Sequence, residues 1–125
     1  MFDFLLLISA ILFVVIDSIY LNLMKGYFEK QIKRVQGSDL KVNFVGAAIC
    51  YILLIAGLNY FIIKPHKTPA DAFILGLVIY GVYETTTYAL LKNWSFLTVI
   101  MDTLWGGILF ATTTYLINML RKIKY

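Results

Sequence analysis

Three carboxyl groups stand in surroundings that ordinarily exclude them. Asp17, Glu84 and Asp102 each lie inside a long run of Leu, Ile, Val and Phe. An acid at mid-bilayer depth costs at least about 2.5–3.5 kcal/mol on the insertion scale. Acids kept at that cost usually face a bundle interior, where they relay protons or line the path of an ion or solute. Their neighbours fit such a place. Tyr20 and Leu21 follow Asp17 at i+3 and i+4, and Trp105 and Gly106 follow Asp102 in the same way, so each set shares a helix face. Tyr80, Gly81, Tyr88 and Leu91 recur near the face of Glu84. Phenol and indole groups are donors of the kind buried carboxyl groups need. The plainer reading is that the acids only bind helices together, but Asn or Thr would do that at lower cost.

The elements that carry these residues follow from composition. The chain has 125 residues, 61% hydrophobic and 14% charged, against about 45–50% and 25% in soluble domains. Four apolar segments hold the excess: Phe2–Met24, Val42–Ile63, Ala70–Leu91 and Phe96–Met119, all without Lys or Arg. A helix needs about 20 apolar residues to span the hydrocarbon, whereas a barrel strand needs only about 9–11. The expected fold is an all-α antiparallel bundle of four transmembrane helices, in one membrane domain covering residues 1–125. The first segment has no basic n-region and no small-residue cleavage site, so it reads as a retained span rather than a signal peptide.

Depth ties the acids together. Asp17 lies eight residues before Lys25, Glu84 eight before Lys92, and Asp102 seven after Ser95. At 1.5 Å rise per residue, all three sit roughly 10–12 Å below one membrane surface. Tyr51, ten residues after Lys41, lies about 15 Å from the same side. Each span thus offers a polar residue to one layer. No Lys or Arg lies within the spans to neutralise it. Lys25 and Lys92 are expected to snorkel towards the headgroups, away from the acids. Like charges gathered in a poorly solvated site cannot all ionise, so at least one acid, with Glu84 the candidate, is expected to carry its proton.

The connections are short except the first, residues 25–41, where Tyr27, Phe28, Ile32 and Val35 recur at helical spacing among charges. This is an amphipathic helix on the membrane surface or an extension of the first span into water. Gly37 would end it, and Ser38 or Asp39 would cap the second span. Thr68-Pro69 with Asp71 fits a helix start, so Asp71 is a capping residue. His66 is a solvated loop histidine with no second histidine to form a metal pair. Asn93-Trp94-Ser95 matches a glycosylation sequon, but it lies too near the membrane, and Trp94 reads as an interfacial belt residue. Cys50, the single cysteine, lies in an apolar run and reads as a small buried hydrophobe without a disulfide partner.

The net charge of +4 comes from residues flanking the spans, which indicates lipid headgroups and not nucleic acid. The Lys/Arg count is six on the side of the first and third connections and five on the other. That margin favours the first connection inside and both termini outside only slightly.

The order of polar residues resembles a family of small predicted membrane proteins of unknown function, with members in bacteria, some eukaryotes and large DNA viruses. Its members look like four-helix proteins of this size. They carry an Asp followed by an aromatic residue late in the first helix, here Asp17 and Tyr20. They carry "Y-D-x-T-N" late in the third helix and then a Trp, here Tyr83, Glu84, Thr85, Thr86, Thr87 and Trp94. In the fourth they carry "D-x-x-W-G", here Asp102, Trp105 and Gly106. Glu84 in place of Asp lengthens the arm, and Thr87 in place of Asn loses an amide. The resemblance adds Tyr83 and Thr87 to the candidate polar site, which then comprises Asp17, Tyr51, Tyr80, Tyr83, Glu84, Thr87, Asp102 and Trp105. It implies no established activity.

Two functions fit best. One is a small proton- or ion-linked transporter or channel, although no selectivity-filter sequence such as TVGYG is present. The other is a non-catalytic structural or assembly protein of a cellular or viral membrane, beside neighbouring membrane or capsid proteins. Richness in Lys, Ile, Tyr and Asn hints at an AT-rich genome, which suits a viral source. Self-association into a homo-oligomer is compatible with either. An intramembrane aspartyl enzyme ranks lower, since no "GxGD" sequence occurs. No Ser–His pair is available, because the only histidine lies in a connection. No cofactor and no metal site are expected.

Overall fold

The computed structural model describes residues 4–124, nearly all of them helical. The elements are α1 (Phe4–Leu23), α2 (Lys25–Gln36), α3 (Phe44–Leu58, prolonged by a π-helical turn over Asn59–Ile63), α4 (Pro69–Leu90) and α5 (Phe96–Lys124). No strand occurs among the described residues. α1, α3 with its π turn, α4 and α5 are each long and apolar enough to cross a membrane. The four expected spans are therefore present, and the protein is a multi-pass integral membrane protein. The start of the first segment, at Phe2, falls outside the described residues. α5 runs past the expected end at Met119, carrying the basic tail with it.

Local chemistry sets the helix ends. At the start of α4 the Thr68 hydroxyl accepts from the Asp71 backbone N–H, and the Asp71 carboxylate accepts from the Thr68 N–H. This capping box, with Pro69 at the first turn, is the arrangement read from the sequence. Gly37 ends α2 in the left-handed region at φ 77°, which costs glycine little. The start of α3 departs from expectation. Neither Ser38 nor Asp39 caps it; Asn43 does, accepting from the Gly46 N–H at 3.0 Å. Six residues lie between Gly37 and Phe44, so Ser38 and Asp39 fall short of the helix.

α4 and α5 form the tightest pair. A Cβ on Gly76 would lie 2.2 Å from the carbonyl oxygen of Gly106, and one on Gly106 would lie 2.2 Å from the Tyr80 ring. Such contact requires glycine on both helices. α1 docks on α5 through Phe13 and Phe110, whose rings meet edge to face at 5.5 Å. α3 packs on α1, where the Asn59 amide donates to the Ser9 hydroxyl at 2.9 Å. The buried apolar core includes Phe13, Leu58, Ile62, Ala72, Leu109, Phe110 and Ile117. By chain position it fills the half of the bundle remote from the α1–α3 and α4–α5 connections.

Candidate functional site

The other half is polar. A cavity of about 360 Å³ is lined by Asp17 and Tyr20 from α1, Tyr80, Tyr83 and Glu84 from α4, Trp94 from the α4–α5 connection, and Asp102 and Trp105 from α5. Asp17 and Glu84 are 7% and 1% exposed, and Asp102 is half-buried.

Each carboxyl group is held by a neutral donor from another part of the fold. Asp17 accepts from the Trp105 indole N–H at 2.8 Å and from the Tyr51 hydroxyl at 2.5 Å. Asp102 accepts from the Tyr20 hydroxyl at 2.9 Å. Glu84 accepts from the Trp94 indole N–H at 3.0 Å, and Asp102 lines the same cavity.

The α1–α5 contacts form a reciprocal brace. Asp17 and Tyr20 on α1 face Trp105 and Asp102 on α5, each acid taking its donor from the opposite helix. The two spans run in opposite directions, so two acid-x-x-aromatic pairs meet head to tail. Between them the Tyr20 and Trp105 rings stack at 4.3 Å, only 5° from parallel.

Not every candidate joins this arrangement. Tyr51 reaches the site only through its bond to Asp17; α3 contributes no wall to the cavity. Tyr83 lines the rim but is 64% exposed. Thr87 lies outside the lining: its hydroxyl donates to the Tyr83 carbonyl at 2.9 Å. Thr85 and Thr86 bond back to Gly81 and Val82 in the same way. A threonine in a helix surrounded by lipid satisfies its hydroxyl most cheaply on the carbonyl one turn earlier. Tyr88 turns away from Glu84 to an edge-to-face contact with Phe96.

Other residues enter that the sequence reading left aside. Trp94, read as a belt residue, is a donor to Glu84. Lys25, expected to point away, lines the cavity beside Phe28, Ile32, Leu40 and Val42. Among the described residues, no Lys or Arg forms an ion pair with the three acids. Nor do any three His, Cys, Asp or Glu side chains come together to hold a metal. A second cavity, of about 340 Å³, lies at the opposite end between α1, the π turn and α5, lined in part by Lys64 and Arg121. It contains none of the candidate residues. His66, on the same side, has its Nδ1 3.1 Å from an Arg121 Nη1.

A family model described as "Predicted membrane protein (DUF2177)" matches residues 3–119. No curated protein and no solved structure matches the chain.

Proposed function

The chain belongs to the DUF2177 family of predicted membrane proteins, and from that premise we propose that it is a small proton-linked transporter whose proton sits on the Asp17–Glu84–Asp102 carboxyl groups. The observation that carries this reading is their convergence on one intramembrane cavity, with phenols and indoles as donors in place of cations. A carboxyl group paired with a cation would be fixed as an anion. One held by neutral donors is free to gain or lose a proton as a solute arrives or leaves. Glu84 and Asp102, lining one cavity, offer a place for one shared proton.

Transport is favoured over an open channel because the half of the bundle beyond the cavity holds the packed apolar core. Phe110 contacts Phe13 and Tyr80 edge to face, and the apolar core lies beyond. A solute held in the cavity would need a second conformation to leave on the far side.

The test is flux in proteoliposomes under an imposed pH gradient, in sodium, potassium and methylammonium salts in turn. The intact protein should dissipate the gradient in at least one of them. Glu84→Gln should abolish flux while leaving an oxygen to accept from Trp94. A stable, correctly inserted protein with no flux in any salt would favour the assembly role instead.

A further inference from the structure

α2 is fixed by polar bonds out of proportion to its exposure. Its one fully buried side chain is Gln31. The Gln31 amide donates to the Asn93 carbonyl at 2.7 Å. Its oxygen accepts from the Ser95 N–H at 3.1 Å and the Thr98 hydroxyl at 2.9 Å. Tyr27, one turn earlier, places its hydroxyl 2.7 Å from that of Thr98. α2 is thus bolted to the α4–α5 connection and the first turn of α5, where helix N–H groups lack partners of their own.

The cavity-facing residues of α2 are Lys25, Phe28 and Ile32, and the strap that follows adds Leu40 and Val42. Both ends of α2 are breaks in helical geometry: Met24 at φ −100°, ψ 8°, and Gly37 at φ 77°. Backbone bonds cross the first break, from Met24 N–H to the Tyr20 carbonyl and from Phe28 N–H to the Met24 carbonyl. Met24 is the one non-helical residue between α1 and α2, the place where a swing of α2 would be taken up. Of the apolar residues in the amphipathic stretch, Phe28 and Ile32 line the cavity.

We propose that α2 is a lid over the polar cavity, latched by Gln31, and that releasing this latch opens the cavity to water on the side of the α1–α3 connection. The lid is a statement about access and holds whether or not a solute is carried.

The chain's two tryptophans, Trp94 and Trp105, both line the cavity, so intrinsic fluorescence reads access without an added reporter. Acrylamide quenching is measured in lipid nanodiscs for the intact protein and for Gln31→Ala. Each hydrogen bond lost should raise the open-to-closed ratio roughly fivefold, and the quenching slope should rise at least about twofold. Tyr27→Phe/Thr98→Val, which removes the neighbouring hydroxyls at nearly constant volume, should move the slope the same way. Spin labels at Glu29→Cys and Lys92→Cys in a Cys50→Ser background should give one narrow distance with Gln31 intact and a longer, broader one with Gln31→Ala. Unchanged quenching and distance in folded Gln31→Ala would overturn the lid. If Gln31→Ala loses its helical signal, the double variant decides by the same two measurements, and no change there overturns it.

Discussion

A carboxyl group below the headgroups has no water to accept from, so its donors must come from the protein. The i+3 spacing of Tyr20 after Asp17 and of Trp105 after Asp102 makes each acid's face legible in the sequence. It does not reveal that each acid takes the donor of the other helix, because that depends on how two antiparallel spans are set in height. The exchange makes the brace testable residue by residue. Tyr20→Phe, Asp102→Ala and the double variant form a cycle, read as thermal or denaturant stability in detergent. The coupling should be favourable, near the roughly 0.6 kcal/mol average for polar contacts in membrane bundles and within about 1.7. Strict additivity would show that the bond at 2.9 Å contributes nothing. Gln31 carries a signal in the sequence itself. It follows Tyr27 and precedes Val35 by four residues each, so a polar side chain stands in the middle of the apolar stripe. Trp94 gave less to read, since a Trp beside a membrane surface has an adequate interfacial role and its bond to Glu84 arises from the turn of the connection.

The elements were more legible than the contacts between them. Four spans follow from run length, and the start of α4 follows from its capping box. The π turn at Asn59–Ile63 left no mark in an apolar run that reads as uninterrupted helix. Glycine placement on α4 and α5 announces close packing, but the structure grades the positions. At Gly76 an added methyl meets backbone, the Gly106 carbonyl at 2.2 Å, which cannot rotate aside. At Gly81 it meets the Thr103 side chain at 3.4 Å, an ordinary contact. Gly76→Ala should therefore destabilise by about 1–3 kcal/mol or more through overpacking. Gly81→Ala should be neutral or mildly stabilising, because alanine is favoured over glycine in a helix by roughly 0.8–1.0 kcal/mol. Thermal midpoints in detergent compare the two directly. Equal losses would mean that the α4–α5 approach is looser than 2.2 Å implies.

At the scale of the whole molecule the bundle is divided across its length. One half is polar, with the cavity, the three acids and the latched α2. The other is packed around Phe13 and Phe110, both fully buried, and buries few polar side chains, Ser9, Thr113 and Thr114 among them. The boundary is the Phe110 ring, in edge contact with Phe13 at 5.5 Å and with Tyr80 at 6.4 Å. If this layer seals the cavity from the far side, the protein should hold an imposed pH gradient in liposomes made in choline salt, with no sodium, potassium or methylammonium present. Phe110→Ala should then leak protons, because the ring it removes leaves space beneath groups that can pass them on. The substitution should also cost roughly 3–5 kcal/mol of stability, so the leak must be measured on protein that remains helical and monodisperse. Phe110→Leu retains most of the volume and separates the two effects: it should stay proton-tight while losing part of the aromatic contact energy. A leak in the leucine variant equal to that in the alanine variant would assign the effect to general loosening of the bundle. A tight alanine variant would place the seal elsewhere along α5, deeper in the layer formed by Leu109, Ile117 and Leu58.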